Sequence, residues 1–188
     1  MKIILGSKSP RRKEIMEMAG YQFDVVVSNA DENVSANSIE DMSLAIAQKK
    51  CDAISKLYPN DLIITADTIV VIDGKVLEKP KDKEDARRMI HLIQGRMHFV
   101  YTSVCVKYKD KEKNFIEKTK VYVGEMTDQE IKEYINIQEP YDKAGAYAIQ
   151  GVFGKYISKI DGDYYNVMGL PIYKLNKVIK DMVNKKGK

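Results

Sequence analysis

The stretch ITADTIVV places one carboxylate, Asp67, inside a run that is otherwise apolar or hydroxyl-bearing. A carboxylate there must be hydrogen-bonded, ion-paired or metal-bound, because unpaired burial is costly. Two uses compete: a structural aspartate satisfied by backbone amides, or a general base or metal ligand at a strand end, where α/β sites open. Four cations stand beside turn-like or helix-terminal sequence, namely Arg11, Arg12, Lys50 and Lys79. Any one of them reads as solvated surface charge; their common fit to a polyphosphate is the sharper reading.

The segment GSKSPRRKE, Gly6 to Glu14, poses a specific problem. Ser9 and Pro10 form a helix start, a capping hydroxyl followed by proline at the first helical position. Arg11 and Arg12 follow at once, although a cation at a helix N-terminus costs a few tenths of a kcal/mol. Backbone amides at that start, with a fork of guanidinium groups, match a phosphate in shape and sign. The missing anion is then a substrate phosphate. A second segment, KAGAYAIQG, offers little side chain to pack, which suits close backbone approach to a ligand or to another element. Gln150 within it carries a donor and an acceptor together, the pattern that reads an amide-like ring edge. His91 and His98 share no nucleophile or metal-ligand spacing with each other or with a serine.

The elements that must position these groups alternate in part between strand and helix. Lys2 to Leu5 reads as a short buried strand, followed by the GSKSP turn and a helix to about Ala19. Phe23 to Ser28 reads as a second strand, and Ser38 with Asp41 opens a long helix to about Leu57. Leu62 to Ile72 is the strongest strand signal and ends in the hairpin dipeptide Asp73-Gly74. Asp82 caps a helix stopping near Gly95, two strands flank the KDKEK turn, and Thr127 with Glu130 forms a capping box. Lys155 to Ile160 and Tyr164 to Met168 read as strands around Asp161-Gly162. Pro171 starts a last helix with Leu175, Val178, Ile179, Met182 and Val183 on one stripe. The predicted fold class is α/β with a mixed sheet, in one domain without a linker.

Length and composition agree. The chain has 188 residues, 44% hydrophobic and 31% charged, as in a globular protein. No apolar run can span a bilayer, and the opening KIIL is too short for a secretory signal. Cys51 and Cys105 lack metal-ligand spacing and read as buried free thiols in a reducing cytoplasm. A net charge of +4 with scattered lysines, the densest run at Asn184 to Lys188, predicts weak attraction to polyanions without a nucleic-acid groove.

SKSPRRKE, TADTIVVIDGKVLEKP, GRMHFVYTSV, EPYDKAGAYAIQG and GDYYNVMGLP resemble, in order and over nearly the whole chain, the signature blocks of the Maf family of nucleoside triphosphate pyrophosphatases. The resemblance implies an elongated α/β domain over 1–188 with a mixed sheet and a central cleft, similar to the inosine triphosphatase group. ADT followed by AYAIQG resembles the branch acting on dTTP and UTP. That likeness makes Asp67 the proton acceptor and ties Arg11, Thr68 and Gln150 to base choice. Lys50, Lys79 and Glu32 match positions implicated in phosphate or metal binding. Thr65, Gln94 and Ala148 depart from the branch's usual residues without removing a charge or an amide.

The expected reaction is attack of water on the α-phosphorus, releasing monophosphate and pyrophosphate. Asp67 orients or deprotonates that water. A divalent ion, Mg²⁺ or Mn²⁺, bridges phosphate oxygens with help from Glu32 or Asp67. Arg11, Arg12, Lys50 and Lys79 hold the triphosphate, and Ser7 and Ser9 donate from the same loop. Two alternatives stay open: a nucleotide- or nucleic-acid-binding regulator of septum formation, and a pyrophosphatase with another base preference. A homodimer follows from the family's habit; a membrane partner is not expected.

Overall fold

In the computed structural model residues 1–184 are described, and the lysine run beyond Asn184 lies outside them. The chain forms β1 (Ile3–Leu5), α1 (Pro10–Met18), β2 (Asp24–Val25), α2 (Ile39–Leu57), β3 (Leu62–Ile72), β4 (Lys75–Leu77) and α3 (Lys83–Ile93). It continues through β5 (Met97–Tyr108), β6 (Lys111–Val123), α4 (Asp128–Gln138), β7 (Ile157–Asp161), α5 (Tyr164–Met168) and α6 (Ile172–Asn184). Short 3-10 turns occupy Pro140–Asp142, Ala144–Ala146 and Val152–Tyr156. The strands make a seven-stranded sheet in the order β2-β1-β3-β5-β6-β7, with β4 paired to β3. β1 runs parallel to β2 and β3, whereas β4 lies antiparallel to β3 and β7 antiparallel to β6. The mixed α/β sheet expected from the sequence is present. No described helix is long and apolar enough to cross a membrane.

Local chemistry accounts for most boundaries. Ser9, Ser38, Asp82 and Thr127 each accept a hydrogen bond from a first-turn amide, and Thr127 completes its box with Glu130. Asp73 and Gly74, with φ of 51° and 71°, turn β3 into β4. Two expectations fail. The strand expected over Phe23–Ser28 shrinks to β2, because β1 is itself short and pairs only through Ile4 with Asp24 and Leu5 with Val25. Tyr164–Met168, read as a strand, is the helix α5. Asp163 Oδ1 accepts from the amides of Tyr165 at 2.7 Å and Asn166 at 3.3 Å, and those bonds start a helix instead of a ladder.

The chain packs as two compact units. One contains Met1–Asp67, Thr102–Glu117 and the chain from Gly169 on; the other contains Thr68–Tyr101 and Lys118–Met168. In the first, Ala47, Cys51 and Ile54 of α2 pack on Ile4, Ile63 and Cys105. Both cysteines are buried and free, as expected, and a hydrogen bond with Cys51 is the largest cause raising the Cys105 thiol. In the second, Ala86, Met89, Ile90 and Ile93 form one face of α3 at helical spacing and meet Ile131, Tyr134 and Ile135 of α4. Ile90 and Ile93 are wholly buried, each stabilising the unit by roughly 2 kcal/mol.

Candidate active site

α2 and β3 assemble the acid. Ser43 and Lys50 lie seven positions apart, so the helix presents both on one face. Ser43 Oγ donates to Asp67 Oδ2 at 3.2 Å, and Lys50 Nζ lies 3.5 Å from Asp67 Oδ1. On the turn between them, the Ala47 carbonyl accepts from Thr65 Oγ1 at 2.7 Å, docking the helix on the strand. Thr65 therefore has a use for its hydroxyl. Its Cγ2 fills the space beside Gly6, where an added Cβ would meet it at 2.6 Å and Ile54 Cδ1 at 2.5 Å. Gln94 accepts from the Met126 amide at 3.2 Å.

Asp67 lies inside β3 and not at its end, which corrects the sequence reading. β1 pairs with β3 over Leu62–Ile64 and β4 over Val70–Ile72. Asp67 falls between these two pairings, within the strand. The carboxylate's partners are side chains, not the backbone amides of the structural alternative.

Lys50 Nζ also lies 3.1 Å from Glu32 Oε1, so one ammonium stands between two carboxylates. Lys50 and Asp67 side chains are each 16% exposed, whereas Glu32 is 61% exposed. The inner pair is therefore the stronger and the outer one solvent-screened. Among the described residues no group of three or more His, Cys, Asp or Glu could hold a metal ion. Two carboxylates are nevertheless the donor set of a magnesium-type ion that draws its other ligands from phosphates and water. Glu32 and Asp67 are the two carboxylates here, with the Lys50 ammonium between them.

Arg12 is anchored on the loop and strand around the acid. Its Nε donates to the Gly169 carbonyl at 2.8 Å, and Nη1 donates to the Ala66 carbonyl at 2.8 Å and to Ser7 Oγ at 3.1 Å. Burial pushes the guanidinium below its ordinary value; Asp67 and Glu32 oppose that, and neighbouring Arg11 adds to it. Arg11 is half-buried on the same turn, and no acid occupies the first turn of α1. Ser7 Oγ accepts both from Arg12 and from the Ser9 amide at 3.2 Å, which leaves its own proton to donate. Ser9 Oγ caps α1 by accepting from the Arg12 amide at 3.5 Å.

Lys79, Thr68 and Gln150 belong to the second unit. Thr68 follows Asp67 in β3 and is half-buried, as is Gln150; Lys79 is exposed. The Gly145 amide donates to the Glu78 carbonyl at 3.1 Å, tying the Gln150 segment to the residue before Lys79. At Gly145 the close approach expected of this segment is to Val70, whose side chain would lie 3.0 Å from an added Cβ. His91 makes a surface contact with Asp128 at 3.3 Å. His98 is buried and bonded to Tyr147, and burial lowers it to about 4.

The family model described as Maf-like protein matches residues 2–182. The chain belongs to the Maf family. Among the curated relatives of this Maf chain is a dTTP/UTP pyrophosphatase of Bacillus cytotoxicus, 44% identical over 180 residues, covering 95% of this chain and 94% of the relative. A dTTP/UTP pyrophosphatase of Acholeplasma laidlawii is 44% identical over 181 residues, covering 95% of each. The solved structure of the Staphylococcus aureus Ham1 protein covers 97% of the Maf chain and all of its own at a TM-score of 0.51 and 12% identity. That likeness shows the shared fold.

Ser43 escaped the sequence reading. Its signal was a serine in register with Ala47, Lys50 and Ile54 on the inward face of an amphipathic helix, wholly buried in the structure. A hydroxyl there needs a partner, and the nearest strand supplies one acid.

Proposed function

We propose that this Maf chain hydrolyses dTTP and UTP between the α and β phosphates, giving the monophosphate and pyrophosphate. The observation that carries the reading is Asp67, held by Ser43 and Lys50 and preceded by a carbonyl that Arg12 grips. The names of the curated relatives supply the nucleotide class.

Asp67 orients a water and takes its proton as the water oxygen bonds to the α-phosphorus. The bond from that phosphorus to the bridging oxygen breaks, and pyrophosphate leaves with the electron pair. Lys50, 3.5 Å from Asp67 Oδ1, offsets charge on the phosphates during turnover. Ser7 and the α1 N-terminus donate to phosphate oxygens, with Arg11 as the nearby guanidinium. A divalent cation held by Glu32 and Asp67 would supply further neutralisation of phosphate charge. The roles of Lys79 in phosphate binding and of Thr68 and Gln150 in base choice rest on the family resemblance, as does pairing of two copies. Two buried free thiols suit a reducing cytoplasm.

Thymine and uracil present a carbonyl, an N–H and a carbonyl along one edge; cytosine replaces one carbonyl and the N–H. An amide such as Gln150 that pairs with the imide edge leaves unpaired groups against cytosine. The test is pyrophosphate release over a panel of nucleoside triphosphates with and without Mg²⁺ or Mn²⁺. Release from dTTP and UTP well above dCTP and the purines supports the reading. Release from none of them, with salt-sensitive binding of DNA or RNA, would overturn it.

A further inference from the structure

The segment that carries Gln150 is held without a ladder. Gly145, Ala146 and Gly151 all have positive φ, at 68°, 60° and 84°, so no continuous α-helix or strand ladder sets its path. Three contacts from elsewhere in the second unit pin it instead. The Gly145 amide meets the Glu78 carbonyl at 3.1 Å, Tyr134 Oη donates to the Ala146 carbonyl at 3.1 Å, and Tyr147 Oη lies 2.7 Å from His98 Nε2. Of these three, the last lies on the Gln150 side of Gly145 and Ala146.

That last contact is chemically expensive. His98 is 1% exposed and Tyr147 6%, in a cluster where Tyr147 also packs 4.8 Å from Phe153. His98 Nδ1 is buried with no hydrogen-bond partner among the described residues. Whichever of the two groups donates across the 2.7 Å contact, the pair leaves a buried polar atom unmatched. An apolar pair of similar volume would pack there without that penalty. What apolar packing would not give is direction. The hydrogen bond, with the rings at 80° and 5.3 Å, fixes where the Tyr147 ring and hence its backbone stand.

We propose that His98 and Tyr147 act as a positioning pair for pyrimidine selection, setting the path of residues 147–151 so that the segment meets the base edge in one register. The proposal rests on the reading of this segment as the base-selecting one, with Gln150 as its reader. His98 and Tyr147 touch neither the nucleotide nor the reacting atoms in this assignment; they act through the segment.

The experiment compares kcat and KM for dTTP and dCTP in the full chain, with thermal melts to verify folding. Tyr147→Phe keeps the ring and removes the hydroxyl. It is expected to lower the dTTP-over-dCTP ratio of kcat/KM by about 10-fold, chiefly through KM for dTTP. His98→Leu should do the same, and His98→Gln, which can still donate and accept, should recover part of the ratio. In a Gln150→Ala background Tyr147→Phe should change the ratio no further. A folded Tyr147→Phe protein with the wild-type ratio, or with equal losses on both nucleotides, overturns the proposal. If Gln150→Ala leaves the ratio intact while Tyr147→Phe lowers it, the pair stands as the positioning device and the assignment of Gln150 falls.

Discussion

Arg12 Nη1 donates to the carbonyl of Ala66 at 2.8 Å, and Ala66 immediately precedes Asp67 in β3. One planar group thereby joins the acid's strand to the Ser7 loop and to Gly169. A lysine has no planar fork and cannot satisfy three acceptors spread this way. Arg12→Lys should therefore lower kcat by about 100-fold through misplacement of the acid, while KM changes much less. Steady-state kinetics on dTTP checks this. A raised KM with kcat preserved would instead make Arg12 a phosphate ligand.

Asp67→Asn keeps shape and removes the proposed proton acceptor, so turnover should drop by about 10²- to 10⁴-fold while nucleotide binding persists. Ser43→Ala tests the support. Losing a hydrogen bond to a charged group is worth about 1.5–3 kcal/mol, which corresponds to a fall of about 10-fold or more in kcat/KM. Equilibrium dialysis with dTTP and pyrophosphate release separate the two effects. Retained turnover in Asp67→Asn would remove the acid from its role.

The sequence was most legible where local chemistry decides. Four caps and the Asp73-Gly74 turn stand where their side chains or φ preferences put them. α5 was misread because YYNVM is aromatic and β-branched enough to suit a strand, while the deciding event is capping by Asp163 and anchoring of Asn166 Nδ2 on Val100 and Thr119. The candidate site was legible in its charges, since Asp67, Lys50 and Glu32 do come together. Its supports were not. Ser43 reaches Asp67 only because α2 lies along β3, and Arg12 grips carbonyls, which have no residue signature at all.

His98 gives a pH prediction of definite sign. Its folded value is near 4, against an ordinary value of 6.5, because the buried imidazole resists protonation. Below about pH 6.5 the unfolded chain takes up a proton that the folded chain refuses until about pH 4. Stability is full above this window and falls as pH drops through it, by as much as about 3 kcal/mol from this group. Urea titrations of the wild type and of His98→Gln across the window should differ in slope, with the variant flatter. Equal slopes would show that His98 is not the group responsible.

Gly145 supplies a prediction about stability in which two effects act together. Its φ of 68° is one that an L side chain adopts at a cost of roughly 1–2 kcal/mol. The space is also taken, since an added Cβ would lie 3.0 to 3.1 Å from three carbons of Val70. Val70 is 3% exposed within the core of the second unit, so it has little room to retreat. Gly145→Ala should destabilise by about 2–3 kcal/mol, read as a lower urea midpoint at unchanged m. Pairing it with Val70→Ala should recover the part that is steric and leave the part that is backbone strain. A double variant no more stable than the sum of the singles predicts would assign the whole effect to φ, because relief of the Val70 contact would then have contributed nothing.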